Sequence, residues 1–560
     1  MDIHCYEQDH GFVLERFKNG EFDYVDSASE VEETEFFRFI QAKKYLTALA
    51  ASYPSPREKE EVPTWFYLAS NLSMRLHGIQ SFHAYPYVVR CGGMLNVFGP
   101  GVAHKATHPE TGDVTLSCQG FNDKNVYERQ TPCNQDFLRK FSKDTDPQLL
   151  ERWFNGDANR LFKQHKAFDP EGIFIGDGSY LFVPDNPRYE GSVKMLFDEA
   201  GHPVDKDQLK KMSPEKAAHC QWRRCYKMVS LLHTDRKRSF CLRVAVRLLP
   251  GNAHECPVLY GMIDQFVQDV GVGIIKRLLI DRGFLDGEKI AHCKLKHGID
   301  ILIPLKKNMD LYHDAMGLIG EASFRPYQPP QREPLVPPRL PQSPPRIRKR
   351  ELKRRETVQA VKREAPPLPP EKTVLKTEVA GIEGFRSFTQ CPVPVNVIVN
   401  REVYADGHTE IWMLLDTKPL DGVEAPARSR DEYLIRVEIE EGHRQLKCFW
   451  DLAKFTSRSF SLVMNQIVFV CLAYNLLQLY LKTLDQKQLN RRTRPGVLNQ
   501  LLPTNSVVII YCENRFTTLT TLEYTELLLT LSQIAAAKIL EKTRRLRKNL
   551  AKELHPARPP

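Results

Sequence analysis

Between Arg325 and Lys372 the chain holds thirteen prolines and thirteen lysines or arginines against five acidic residues. Proline removes backbone donors and like charges repel, so this stretch cannot bury a core of its own. Apolar runs stand on both sides of it, and the fold that begins before it must finish after it. The segment is expected to be a solvated linker; its functional alternative is a basic arm that tracks phosphates.

Upstream, short apolar runs at Ile173 to Ile175, Tyr226 to Leu232, Cys241 to Leu249, Ile274 to Ile280 and Ile301 to Leu305 read as strands. Helical spacing of Val258, Leu259, Met262, Ile263, Phe266 and Val267 falls between two of them, and a second helix follows Asp286. Strands resume at Val395 to Val403 and Glu410 to Leu415, with helices from Arg430 and Ser459. This alternation predicts an α/β fold with a mixed sheet flanked by helices. The chain therefore divides into a mainly helical amino-terminal domain (1–168), a first half of the α/β domain (169–324), the Pro-rich basic segment (325–375), the remainder (376–484) and a carboxyl-terminal helical region (485–560). The stretch from His83 to Gly120 matches no pattern.

The 560 residues are 42% hydrophobic and 26% charged, which excludes collagen-like, mucin-like and wholly disordered chains. A net charge of +10 favours a polyanionic partner, nucleic acid first. Thirteen scattered cysteines and an acidic first stretch (Asp2, Glu7, Asp9) in place of a basic and apolar leader point to a reducing cytosol. The longest apolar run, Ile467 to Leu481, is broken by Asn475 and Gln478 and is shorter than the ~20 residues that cross a bilayer, so it reads as a buried helix and no membrane is expected.

Two aspartates come directly after apolar runs: Asp177 after Ile173 to Gly176, and Asp281 after Ile274 to Ile280, each expected at a strand end beside a turn. An aspartate there can equally cap the next turn or helix. The helix carrying Tyr433, Arg436, Glu440 and Lys447 is more specific. At 100° per residue all four project from one narrow face, which thus presents a phenol, a guanidinium, a carboxylate and an ammonium. A solvated stripe of ion pairs, with Glu438, Glu441 and Arg444 beside it, is the bland alternative.

With its upstream aspartates, the pattern Tyr433-x2-Arg436-x3-Glu440-x6-Lys447 resembles the insertion-sequence DDE transposases of the subgroup defined by that Tyr-Arg-Glu-Lys signature. The resemblance covers about Gly172 to Leu481. It implies a ribonuclease-H-like catalytic domain in which Asp177, Asp281 and Glu440 are catalytic and bind two Mg²⁺ or Mn²⁺ ions, since converging carboxylates repel without cations. Tyr433, Arg436 and Lys447 would hold DNA phosphates. Trp412, on the expected strand upstream of Tyr433, would stack on a flipped base while the transposon end closes as a hairpin; a buried strand tryptophan is the alternative.

The function so implied is a cytoplasmic, nucleoid-associated prokaryotic transposase. It binds double-stranded DNA at the transposon inverted repeats through the 1–168 domain, cleaves by metal-dependent hydrolysis, and joins 3′ ends to target DNA, as a homodimer in the DNA complex. The alternatives are an inactive transposase-derived DNA-binding protein and a metal-dependent nuclease without strand transfer. The resemblance departs in the long span between Asp281 and Glu440, which holds a Pro-rich basic segment unusual for a β-rich insertion. Zinc ligation at His219-Cys220-x4-Cys225 with His233, or at His292-Cys293-x3-His297, has irregular spacing, and such cysteines usually serve as small buried hydrophobes. The basic helix end from Lys538 to Lys548 is either a DNA or dimer contact or a solvated face.

Overall fold

The apolar runs on both sides of the Pro-rich segment join one ten-stranded mixed sheet. Its strands are β1 (Ile173–Val183), β2 (Val193–Phe197), β3 (Gln221–Thr234), β4 (Cys241–Pro250), β5 (Arg277–Ile280), β6 (Asp300–Pro304), β7 (Arg325–Pro326), β8 (Val374–Phe385), β9 (Val395–Tyr404) and β10 (Thr409–Asp416). The order is β7-β8-β9-β10-β6-β5-β1-β3-β2, with β4 also paired to β3. Only β1–β5 and β5–β6 are parallel. These central strands are buried on both faces, which is why Leu278 to Ile280 and Ile301 to Ile303 are unbroken apolar runs. The computed structural model describes residues 3–5, 7–28, 31–58, 62–85, 102–107, 114–116, 135–330, 373–484, 507–513 and 515–554.

The rims of the Pro-rich segment belong to the sheet. Arg325 pairs with Val379 and Pro326 with Glu378, so β7 and β8 close the span from both ends, while 331–372 lies outside the described residues. The first half of the sheet is thereby joined to the second, as the apolar runs predict.

Alternation sorts side chains between two faces. One face (Phe174, Leu278, Ile280, Ile301, Ile303) is covered by α1 (Cys256–Val270), α2 (Gly287–His297) and α5 (Phe460–Thr483). The other (Ile173, Ile175, Leu279, Leu302, Leu414) is covered by α3 (Ala425–Tyr433), α4 (Val437–Arg444) and the turn that joins them, through Ile435 in that turn and Ile439 on α4. Helix α5 is long and apolar enough to cross a membrane, yet most of it is buried inside the protein. The two polar residues that break its run Ile467 to Leu481 satisfy the backbone of β4: Asn475 exchanges two 2.7 Å hydrogen bonds with Arg243, and Gln478 accepts from the Cys241 amide at 3.4 Å.

The helices of the amino-terminal region (1–168) do not stand apart from this core. Those at Tyr45–Ser52, Thr64–Leu76, Gln135–Asp144 and Pro147–Arg152 share one continuous apolar cluster with α5. The chain ends also meet: Tyr24–Ala28 pairs with Val507–Cys512 in a four-stranded sheet, so the described part of the carboxyl-terminal region holds strands as well as helices. The unmatched stretch His83 to Gly120 lies mostly outside the described residues, apart from 83–85 and strands at Val102–Thr107 and Val114–Leu116.

Candidate active site

Asp177 does not end its strand, contrary to the expectation from sequence. Strand β1 continues six residues beyond it, and Asp177 pairs with Ser230 in the middle of the β1–β3 ladder. The chain stays extended because Gly178 makes room: a Cβ there would lie 2.5 Å from Oε2 of Glu255 on the neighbouring turn. What ends at this level is the partner strand. Ile280, the last residue of β5, pairs with Gly176, so Asp281 comes level with Asp177 as the chain leaves the sheet into a 3₁₀ turn at Arg282–Phe284. In-register residues on parallel neighbours share a face about 4.8 Å apart. Both aspartates therefore project from the face that carries Ile175 and Leu279, the one beneath α3 and α4.

A buried ionic cluster fixes the helices there. Arg277, at the start of β5, donates to both carboxylate oxygens of Asp416 (2.5 and 2.6 Å) and to Glu432 on α3 (2.8 Å); Ser429, also on α3, donates to Asp416 at 2.8 Å. From this anchor the chain passes Tyr433, a 3₁₀ turn (Leu434–Arg436), α4, and a π-helical turn (Gln445–Phe449). The uniform helix expected from sequence is thus three kinds of helix in series. The tight turn advances the chain around the axis and the wide one holds it back, so the two departures offset one another.

Along this path the cations collect around Asp177. Lys447 donates to the Ser179 hydroxyl, two residues beyond Asp177 on the same face, at 2.6 Å. Burial, reinforced by nearby Arg243, pushes the Lys447 ammonium down to about 8. Arg243 is fully buried under α4, where it donates to Ser230 (2.7 Å) and the Ile439 carbonyl (3.3 Å). It fits because residue 442 is glycine: a Cβ there would come within 2.6 Å of the guanidinium. Arg436 holds the half-exposed Glu440 carboxylate at 3.1 Å, and Asp281, Asp177 and Glu440 all support its charge against the penalty of burial. Tyr433 beside it is pushed up to about 12, chiefly by burial, so it stays a protonated donor.

Burial raises the Asp177 carboxyl, with Arg436, Arg243 and Lys447 acting in opposition. No lysine or arginine among the described residues lies within ion-pairing distance of Asp177 or Asp281. These carboxylates offer hard oxygen donors suited to a divalent cation. Glu440 stands on the helix over the same sheet face, but the three carboxylates do not all approach within 4.8 Å of one another.

Two groups have no counterpart among the residues expected from sequence. Glu255 packs against Gly178, on the opposite face of the sheet from Asp177, lies 4.0 Å from where a Cβ on Gly283 would stand, and pairs with Lys227 at 3.1 Å. His443, one turn past Glu440, is buried with neither ring nitrogen hydrogen-bonded and Nε2 3.7 Å from Asp177. Nothing in their local sequence marks either one, since both act through the tertiary fold.

Trp412 lies on the same face and at the same end of the strands. The row Asp281–Pro304–Leu414 follows from the register, and Trp412 is two residues further out on β10, about 12 Å from Asp281 by strand spacing. Its indole is partly buried, with the Arg430 guanidinium 4.9 Å from the ring centroid.

The two zinc candidates diverge. Both nitrogens of His233 are engaged by backbone, at Ile173 O (2.9 Å) and Asp169 N (2.8 Å), and burial pushes the Cys225 thiol up to about 11, which closes that set. Cys293 is likewise buried, its thiol up at about 12. Its neighbours His292 and His297 instead converge on Asp264.

Carboxylates at the ends of adjacent parallel strands, with desolvated cations beside them under one helix, form a candidate active centre in an α/β fold. The family model described as the transposase DDE domain matches residues 189–476, just over half of the chain, and the protein belongs to the DDE transposases. It is thus a transposase, an enzyme with DNA as its partner. The matched span includes Asp281, Trp412, Tyr433, Arg436, Glu440 and Lys447, and begins twelve residues beyond Asp177. A search of curated proteins finds no match.

Proposed function

We propose that the protein is a transposase of the Tyr-Arg-Glu-Lys subgroup with a ribonuclease-H-like catalytic domain, in which Asp177, Asp281 and Glu440 form the catalytic centre. The observation that carries this reading is the in-register placement of Asp177 and Asp281 on adjacent parallel strands, beneath the helix that bears Arg436, Glu440 and Lys447. Two Mg²⁺ or Mn²⁺ ions held by these carboxylates would activate the attacking water or 3′-hydroxyl and stabilise the leaving oxygen.

The chain's own groups bind and orient the DNA. Arg436 presents a fork to phosphate oxygens and Lys447 a point charge from its seat on Ser179. Tyr433, protonated throughout the physiological range, donates a hydrogen bond to phosphate. Trp412 offers its free ring surface to a flipped base during hairpin formation at the transposon end. The amino-terminal region (1–168) contributes end binding, and a homodimer holds two ends together, in a prokaryotic cytoplasm at the nucleoid.

The test uses the full-length protein with a duplex carrying the inverted repeats expected beside its coding region. Wild type nicks this duplex with Mg²⁺ and joins the 3′ end to a second duplex, whereas Asp281→Asn does neither and Arg436→Ala cleaves more slowly. Wild-type cleavage by Asp281→Asn sinks the catalytic assignment. Cleavage without joining makes the enzyme a nuclease.

A further inference from the structure

We propose that Asp264, His292 and His297 form a second metal site, separate from the catalytic centre and suited to Zn²⁺ or a similar borderline ion. One oxygen of Asp264, on α1, lies 2.9 Å from Nε2 of His292 and 2.6 Å from Nε2 of His297, both on α2. The three donor atoms all lie within 4.8 Å of one another. Two imidazoles and one carboxylate are a ligand set that zinc accepts, with water completing a tetrahedron. Zinc–ligand bonds of about 2.0–2.1 Å set donor atoms roughly 3.3 Å apart, so the rings need to open by less than about 1 Å to admit the ion. His297 is buried, while Asp264 and His292 keep part of their side chains in solvent, which leaves an approach path and a side for the water. Binding requires only that each neutral imidazole carry its proton on Nδ1 in place of Nε2.

The sequence shows two of these ligands at an irregular spacing and conceals the third. Residues five apart on a regular helix diverge by about 140°. His297 escapes this because it is the last residue of α2, where Gly298 turns left-handed and ends the helix. The third ligand then comes from another helix, 28 residues upstream of His292. The adjacent Cys293 is turned into the core and takes no part.

Two independent paths set this cluster about 13 Å from the catalytic edge. Helix α2 leaves Asp281's turn and returns to the opposite end of the strands, where Asp300 pairs with Arg277, four residues before Asp281. Along α1, nine residues separate Glu255, against Gly178, from Asp264. A metal here would tie the middle of α1 to the second half of α2, two of the helices that cover this face of the sheet.

The experiment titrates ZnCl₂, and separately CoCl₂, into chelator-stripped full-length protein, and reads calorimetric stoichiometry, the cobalt d–d spectrum and the thermal midpoint. An Asp177→Asn/Glu440→Gln protein, disabled at the catalytic centre, should bind one equivalent with a tetrahedral cobalt spectrum and a raised midpoint. Adding His292→Gln, a partly exposed position, should lower the affinity at least tenfold and abolish the midpoint rise, and Asp264→Asn should do the same. No binding by the Asp177→Asn/Glu440→Gln protein, or binding that survives His292→Gln and Asp264→Asn, overturns the proposal.

Discussion

Replacing Lys447 by methionine should make the free protein more stable while it weakens cleavage. Methionine keeps the length of the buried stem and discards the charge. The ammonium's pKa falls from the ordinary 10.5 to about 8, because burial and Arg243 disfavour its charged form. A fall of that size puts the penalty for holding the charge in the folded protein at about 3 kcal/mol. Loss of the bond to Ser179 takes back about 0.5–1.5 kcal/mol, leaving a gain of roughly 2 kcal/mol near neutral pH. The sign follows from linkage. The folded pKa lies below the unfolded one, so the penalty is fully present below pH 8 and disappears as the pH rises through 10.5. The advantage of Lys447→Met, read as a difference in urea or thermal midpoint, should therefore be largest near pH 7 and shrink steadily above pH 8. Lower stability for Lys447→Met at pH 7, or an advantage that does not change with pH, would refute the claim that the lysine is held there against its solvation.

Three other perturbations probe how the site is built. Gly442→Ala drives a methyl into the Arg243 guanidinium and should cost about 1–3 kcal/mol, seen as a lower thermal midpoint; an unchanged midpoint would mean that Arg243 moves aside freely. Arg277→Met strands the buried Asp416 carboxylate, leaves Glu432 with Arg236 alone, and should cost about 3–5 kcal/mol, detected as poor soluble yield or early unfolding, and a neutral result would rule out this cluster as the anchor of α3. Trp412→Ala should spare the first nick and impair hairpin closure or opening, since the flipped base loses about 1–3 kcal/mol of stacking. A time course on a denaturing gel resolves nicked, hairpin and fully cut species, and wild-type excision with no hairpin would return Trp412 to its place beneath Arg430 as a packing residue.

Much of this protein is legible in its sequence, because local pattern carries the physics. Apolar-rich runs of five to nine residues mark the strands β3, β4, β6, β9 and β10, since strands packed beneath helices bury most of their length. The Pro-rich segment shows where the sheet is interrupted, and the spacing from Tyr433 to Lys447 shows one chemical face, because helical periodicity ties sequence distance to direction. The tertiary structure alone decided where Asp177 lies: its strand runs on past it, a consequence of a glycine beside Glu255 that no local rule reveals. The same holds for the shared core of the early helices with α5, the meeting of the two chain ends in one sheet, and the convergence of Asp264 on His292 and His297. Each depends on which distant segments become neighbours. Sequence distance says nothing about that choice, which follows from how the whole chain buries its apolar surface and pairs its backbone.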